Sequence, residues 1–160
     1  MIYCIAIPTP LGNLFATATD NTITGLYFDG QKYFPTKLPP LTEANTILEK
    51  LRKEIAEYFA GKRTQFSAEL QPHGTPFQQR VWQALQAIPS GNTLTYGEIA
   101  AQLGQPSATR AVASAIGRNP ISLVIPCHRV IGKDGSLTGY AGGVDRKAAL
   151  LRLEQGDLLL

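Results

Sequence analysis

The sequence predicts a mixed α/β (α+β) chain: a small N-terminal antiparallel sheet carrying one helix, then a mainly helical winged helix-turn-helix part. Three observations predict it. Short apolar runs with β-branched residues, separated by turn residues, fill positions 2–28. Apolar residues recur at helical spacing from Ala44 to Phe59. Beyond residue 75, capped helical stretches follow one another across short Gly- and Pro-containing turns.

The elements follow in order. Ile2 to Ile7 reads as a strand, broken by Pro8 and Pro10-Leu11-Gly12. Asn13 to Thr19 and Ile23 to Phe28 continue it as a three-stranded meander, and Asp20-Asn21 suits the turn between them. Gly30, Pro35, Pro39 and Pro40 make residues 29–41 a loop. Thr42 is the expected cap of the next helix, which buries Ala44, Ile47, Leu48, Leu51, Ile55, Tyr58 and Phe59 against the sheet and ends at Gly61. Cys4 reads as core and His73 as an exposed linker residue; this half is expected to carry no chemistry. A linker from about Lys62 to Gly74 divides the chain into domains 1–74 and 75–160.

Thr75-Pro76 opens the next helix, whose buried face is Phe77, Val81, Trp82, Leu85 and Ile88. Trp82 on that stripe reads as core, not as a stacking platform for a base. Pro89-Ser90-Gly91 stops the helix. Thr95 and Glu98 form a capping box for a short helix from Tyr96 to Leu103. Gly104-Gln105-Pro106 turns the chain, and Ser107 is the expected cap of a second helix to about Ile116, a helix-turn-helix. Ala108, Ala111, Ala113, Ser114, Ala115 and Gly117 make that second helix slim. Small residues suit tight core packing or entry into a narrow groove with Arg110 as its arginine; periodicity leaves both open. Lys133-Asp134-Gly135 reads as a hairpin turn, a wing beside the helix pair.

At 160 residues the chain allows one or two small domains with a real core. With 44% apolar and 17% charged residues it has the composition of a folded globular protein, which excludes a disordered chain. No apolar run has the length of a membrane span, and no signal-type N-terminus is present. Two distant cysteines make no disulfide framework, so a cytoplasmic protein with free thiols is expected. Residues 1–74 balance seven basic against seven acidic side chains, whereas residues 75–160 hold eight against five. The whole net charge of +3 therefore sits in the second half, a bias compatible with a phosphate backbone.

The chemistry concentrates in Pro126-Cys127-His128-Arg129-Val130, read as the end of an apolar strand, Leu123-Val124-Ile125. A lone cysteine is more often a small buried hydrophobe. The flanking proline, histidine and arginine point instead to a reactive thiol, because nearby cations lower a thiol from its ordinary value of about 8.5. Neighbours on a strand face opposite ways, so Cys127 reaches His128 only through a bend or a bridging water. A helix from about Asp145 ends near Glu154, which could orient the histidine or be a solvated residue. No glycine-rich dinucleotide motif or P-loop occurs, so no cofactor is expected.

Arg118-Asn119-Pro120, the run Pro126 to Val130 and Gly139-Tyr140-Ala141-Gly142-Gly143 resemble the O6-alkylguanine-DNA alkyltransferases, or methylated-DNA–protein-cysteine methyltransferases. The resemblance runs from about Thr75 to Gly156; earlier it rests on Thr9-Pro10-Leu11-Gly12. It implies a ribonuclease H-like N-terminal domain and irreversible, single-turnover transfer of an alkyl group from O6-alkylguanine, or O4-alkylthymine, to Cys127. The implied partner is double-stranded DNA, met by a monomer with no membrane association. His128 would act as base through a water, oriented by Glu154, with Asn119 bracing the turn before Cys127. Arg110 would fill the gap left by a flipped base. Tyr96 would rotate the 3′ phosphate and donate to the leaving guanine, with Ala111, Ser114 and Arg118 as further DNA contacts. Tyr140, Ala141, Gly142 and Val130 would line the pocket. A related group has tryptophan in place of the cysteine; this chain has Cys127. Some relatives hold a structural zinc, but Cys4 and His73 cannot close a tetrahedral site, so no metal is expected. A non-enzymatic DNA-binding or redox-sensing protein and a Cys-His hydrolase are the competing readings.

Overall fold

The computed structural model describes residues 1–137, 139–157 and 160. Strands β1 (Tyr3–Ile7), β2 (Leu14–Ala18) and β3 (Ile23–Phe28) form an antiparallel meander in the order β1-β2-β3. Helix α1 (Thr46–Phe59) packs on β2 and buries Leu48, Leu51, Ile55, Tyr58 and Phe59. Its cap is Asn45, whose Oδ1 accepts from the Leu48 N–H at 2.9 Å. The expected cap, Thr42, has another task. It pairs with the open edge of β1, its N–H donating to the Cys4 carbonyl at 2.8 Å and its Oγ1 accepting from the Cys4 N–H at 3.1 Å. An unpaired strand edge competes for such groups.

The opposite edge of β3 is covered by two later segments. The Ile23 N–H donates to the Glu69 carbonyl and the Leu26 N–H to the Pro120 carbonyl, both at 2.9 Å. The second pairing lays the segment just before Cys127 along the sheet.

Helix α2 (Pro76–Gln86) starts with Thr75 and Gln78 as a capping box. Strand β4 (Leu94–Thr95) leads into α3 (Tyr96–Gln102), which the Thr95–Glu98 box caps as expected. Helix α4 (Thr109–Gly117) completes the helix-turn-helix. Its cap position is Ala108, which has no side-chain bond to offer, so Ser107 lies one residue too early to cap it. Trp82 is buried, and its indole N–H donates to the Ala115 carbonyl of α4 at 2.8 Å, which locks α2 to α4. Strand β5 (Val130–Ile131) pairs in parallel with β4, and α5 (Val144–Glu154) closes the fold. The expected hairpin after β5 is a tight turn, Gly132 N–H to Ser136 carbonyl at 2.8 Å, without a second strand among the described residues.

One apolar core runs through both halves, from Ile5, Phe28 and Leu51 to Trp82, Ile99, Val112 and Leu150, and it includes Ile125 and Cys127. No helix among the described residues is long and apolar enough to cross a membrane.

Candidate active site

The chain reaches Cys127 through two tight turns. The Val124 N–H donates to the Ser122 carbonyl at 2.8 Å across Leu123, whose φ is 72°. The Cys127 N–H donates to the Ile125 carbonyl at 2.8 Å across Pro126, with φ −80° and ψ 65°. This is the inverse γ-turn that a proline ring favours. Asn119 clamps the same stretch: its Nδ2 donates to the Ile125 carbonyl at 2.8 Å and its Oδ1 accepts from the Ile121 N–H at 2.9 Å. Cys127–Arg129 then forms a 3₁₀ turn, not the end of a strand. Successive side chains there diverge by about 120° instead of pointing to opposite faces.

That turn sends His128 and Arg129 to one carboxylate. Glu154 Oε2 accepts from His128 Nε2 at 2.7 Å, Arg129 Nη2 at 2.9 Å and the Tyr58 hydroxyl at 2.6 Å. Its Oε1 accepts from Arg129 Nε at 2.8 Å. The remaining guanidinium arm donates to the Ile88 carbonyl at 2.7 Å. Burial alone would raise the Glu154 carboxyl, but the donors of Arg129 and His128 override it and hold the group well below the usual carboxylate range. Burial lowers His128 against the pull of Glu154, so the imidazole is neutral. An ionised carboxylate only accepts, which fixes the proton on Nε2 and leaves Nδ1 as the acceptor. Nδ1 is buried and has no protein partner among the described residues, and the same holds for the Tyr140 hydroxyl.

The thiol corrects the sequence reading. Cys127 is 4% exposed, and burial pushes it up to about 11, against smaller opposing effects from Asn119 and Lys147. The resting group is a thiol. Arg129, the nearest cation in sequence, is spent on Glu154 and Ile88.

Tyr140 is buried, with its ring edge-on to His128 at 6.4 Å. Gly142 lies flat against it: a Cβ there would come within 2.5 Å of the Tyr140 ring. Tyr96 is half-buried and its hydroxyl faces Gly139, where a Cβ would stand 2.9 Å away. Burial keeps both tyrosines protonated, and a negative charge developing on Cys127 would hold them so more firmly. Val130 is buried on β5, and the Ala141 carbonyl accepts from the Lys32 N–H at 2.8 Å. Arg110, Ala111 and Ser114 lie exposed on α4, whereas the thiol is buried. Arg118 is also exposed and stacks on the Tyr33 ring at 4.4 Å.

Two members escaped the sequence reading. Tyr58 comes from α1, so the N-terminal half does reach the candidate site. Lys147 is fully buried on α5, and burial lowers it to about 8; only an ionised Cys127 would oppose that shift. In sequence it sits in Asp145-Arg146-Lys147, which looks solvated. Yet 147, 150, 151 and 154 share one helical face, and that spacing was the available signal.

Fold and site together define a helix-turn-helix protein with a buried thiol beside a carboxylate-fixed imidazole. Residues 76–156 match the description 6-O-methylguanine DNA methyltransferase, DNA binding domain, and residues 2–72 match the ribonuclease-like domain of the same enzyme. The methylated-DNA–protein-cysteine methyltransferase of Mycobacterium leprae is 46% identical over 159 residues, covering 99% of this chain and 96% of the relative. The crystal structure of the Mycobacterium tuberculosis O6-methylguanine methyltransferase superposes with a TM-score of 0.88 at 45% identity, covering 99% of this chain and 95% of that one. A structure of the same organism's protein in complex with DNA gives 0.87 at 44% identity, covering 98% and 93%. This chain belongs to the 6-O-methylguanine DNA methyltransferase family.

Proposed function

We propose that this chain repairs DNA by moving the alkyl group from O6 of guanine, or O4 of thymine, onto Sγ of Cys127, once per molecule. The observation that carries the reading is the buried thiol beside an imidazole whose free acceptor is set by Glu154. Sγ forms a bond to the alkyl carbon as the carbon–O6 bond breaks. The thiol proton passes through a water to Nδ1 of His128, which has no protein partner among the described residues, and the displaced guanine regains a proton on its ring. A thiol near 11 beside a neutral imidazole does not ionise in advance, so proton loss accompanies bond exchange. Lys147 favours the developing thiolate by its charge. Tyr96 and Tyr140 keep their protons and can donate to the leaving base. Tyr140, Ala141, Gly142 and Val130 form the pocket.

A thiol buried in the core cannot meet O6 inside a stacked duplex, so the nucleotide is flipped. Arg110, with Ala111, Ser114, Arg118 and Tyr96, provides the DNA-facing surface. Residues 75–160 form the DNA-binding and acceptor domain and residues 1–74 its support. The protein acts as a monomer on double-stranded DNA in the cytoplasm. The DNA complex of the M. tuberculosis relative supports a nucleic-acid partner.

Excess methylated duplex should give a burst equal to active protein and then a plateau, with the Cys127 peptide heavier by one methylene. A methyl thioether is a poor leaving group, and no side chain of the site can break it. Continued turnover with unmodified Cys127 would defeat the mechanism. Arg110→Ala should slow duplex repair by roughly tenfold or more while sparing reaction with a free benzylated guanine base, since only the duplex requires flipping. Equal slowing of both would move Arg110 into the chemistry or the fold.

A further inference from the structure

We propose that Tyr58 is a positioning residue for alkyl transfer: its hydroxyl, donating to Glu154 Oε2, limits how strongly that carboxylate holds the imidazole of His128. The inference rests on the reading that His128 receives the thiol proton. Oε2 takes three donors, from Tyr58, His128 and Arg129, at 2.6, 2.7 and 2.9 Å. A carboxylate oxygen has only two lone pairs, so these donors compete. Packing does not require the hydroxyl. The Tyr58 ring meets Phe59 at 5.3 Å and Phe66 at 5.6 Å, and a phenylalanine would meet them equally. A buried hydroxyl without a partner is unfavourable, and Glu154 is the partner this one has. Burial first, then the charge of Glu154, holds Tyr58 far above its ordinary value, so it remains a donor at every working pH.

The groups facing His128 come from several elements. Glu154 on α5 favours the protonated ring; Arg129 on the same turn and Lys147 on α5 oppose it. Tyr140 lies against its edge, and Cys127 precedes it in the turn. Tyr58 alone reaches this set from α1. By drawing on Oε2 it weakens the one group that would charge the imidazole, and so keeps Nδ1 ready to accept.

The test is Tyr58→Phe in the full chain, read by the pH dependence of benzyl transfer from the free base and by NMR titration of the histidine rings. The chain has two histidines, so exposed His73 is an internal control. Removing the donor leaves Oε2 richer in charge and stabilises the imidazolium. The His128 midpoint and the acid limb of the rate should rise together by about one pH unit, costing about tenfold in rate below the limb. His73 should not move. Site-specific 3,5-difluorotyrosine at 58 keeps the ring and donates more strongly, so it should move the midpoint down. An unmoved His128 midpoint in both proteins, whatever happens to stability, would make Tyr58 a packing residue and overturn the inference. An acid limb that persists in His128→Gln would overturn the base relay itself, and the inference with it.

Discussion

Replacing Cys127 by alanine should abolish alkyl transfer completely and leave DNA affinity close to that of the parent protein. The loss should be total because the proposed new bond forms at Sγ, and the other thiol, Cys4, is buried in β1. Affinity should survive because the proposed DNA-facing residues Arg110, Ala111 and Ser114 stand on the exposed side of α4, whereas Cys127 is buried. Deleting one small buried group costs on the order of 1 kcal/mol, too little to unfold the domain. Peptide mass spectrometry after incubation with methylated duplex, paired with a gel-shift titration, checks both halves. Transfer by the variant would remove Cys127 as the acceptor.

The second large effect is at Glu154. Glu154→Ala strands the Arg129 guanidinium, the His128 Nε2–H and the Tyr58 hydroxyl, all buried. Breaking a buried ion pair by removing one partner costs about 3–5 kcal/mol, so the urea midpoint should fall sharply. Transfer should fall with it, because nothing then fixes the imidazole tautomer. The pH sign follows from the depressed carboxyl. Its stabilisation is complete above the ordinary carboxylate range and disappears as pH falls through the lower folded value. The gap between parent and variant should therefore close in acid. A constant gap down to strongly acidic pH would show that Glu154 is not an ionised acceptor.

Local signals carried far in this chain. Thr95 and Glu98 announce α3 because a capping box is complete within four residues. The apolar stripe of α1 and the turn chemistry of residues 19–22 are local in the same sense. Asn119, Cys127, His128 and Glu154 could be named because they are chemically distinctive, and the structure brings them together. What failed needed contacts across the chain. Thr42 lost its capping role to the edge of β1. Arg129 neighbours the thiol in sequence, yet the 3₁₀ turn delivers it to Glu154, so burial decides the state of Cys127. Tyr58 looked like one more apolar helix position because its partner is 96 residues away.

That separation bears on how such a protein comes into being. A reagent spent in one reaction cannot correct an error made while it is still folding. The carboxylate that sets the imidazole is completed only when α1, the turn at Cys127 and the last helix have all met, one of the longest loop closures the chain makes. On the proposed mechanism, no base is aligned for the sulfur until those elements have met. Competence for transfer would then depend on contacts between elements far apart in the chain.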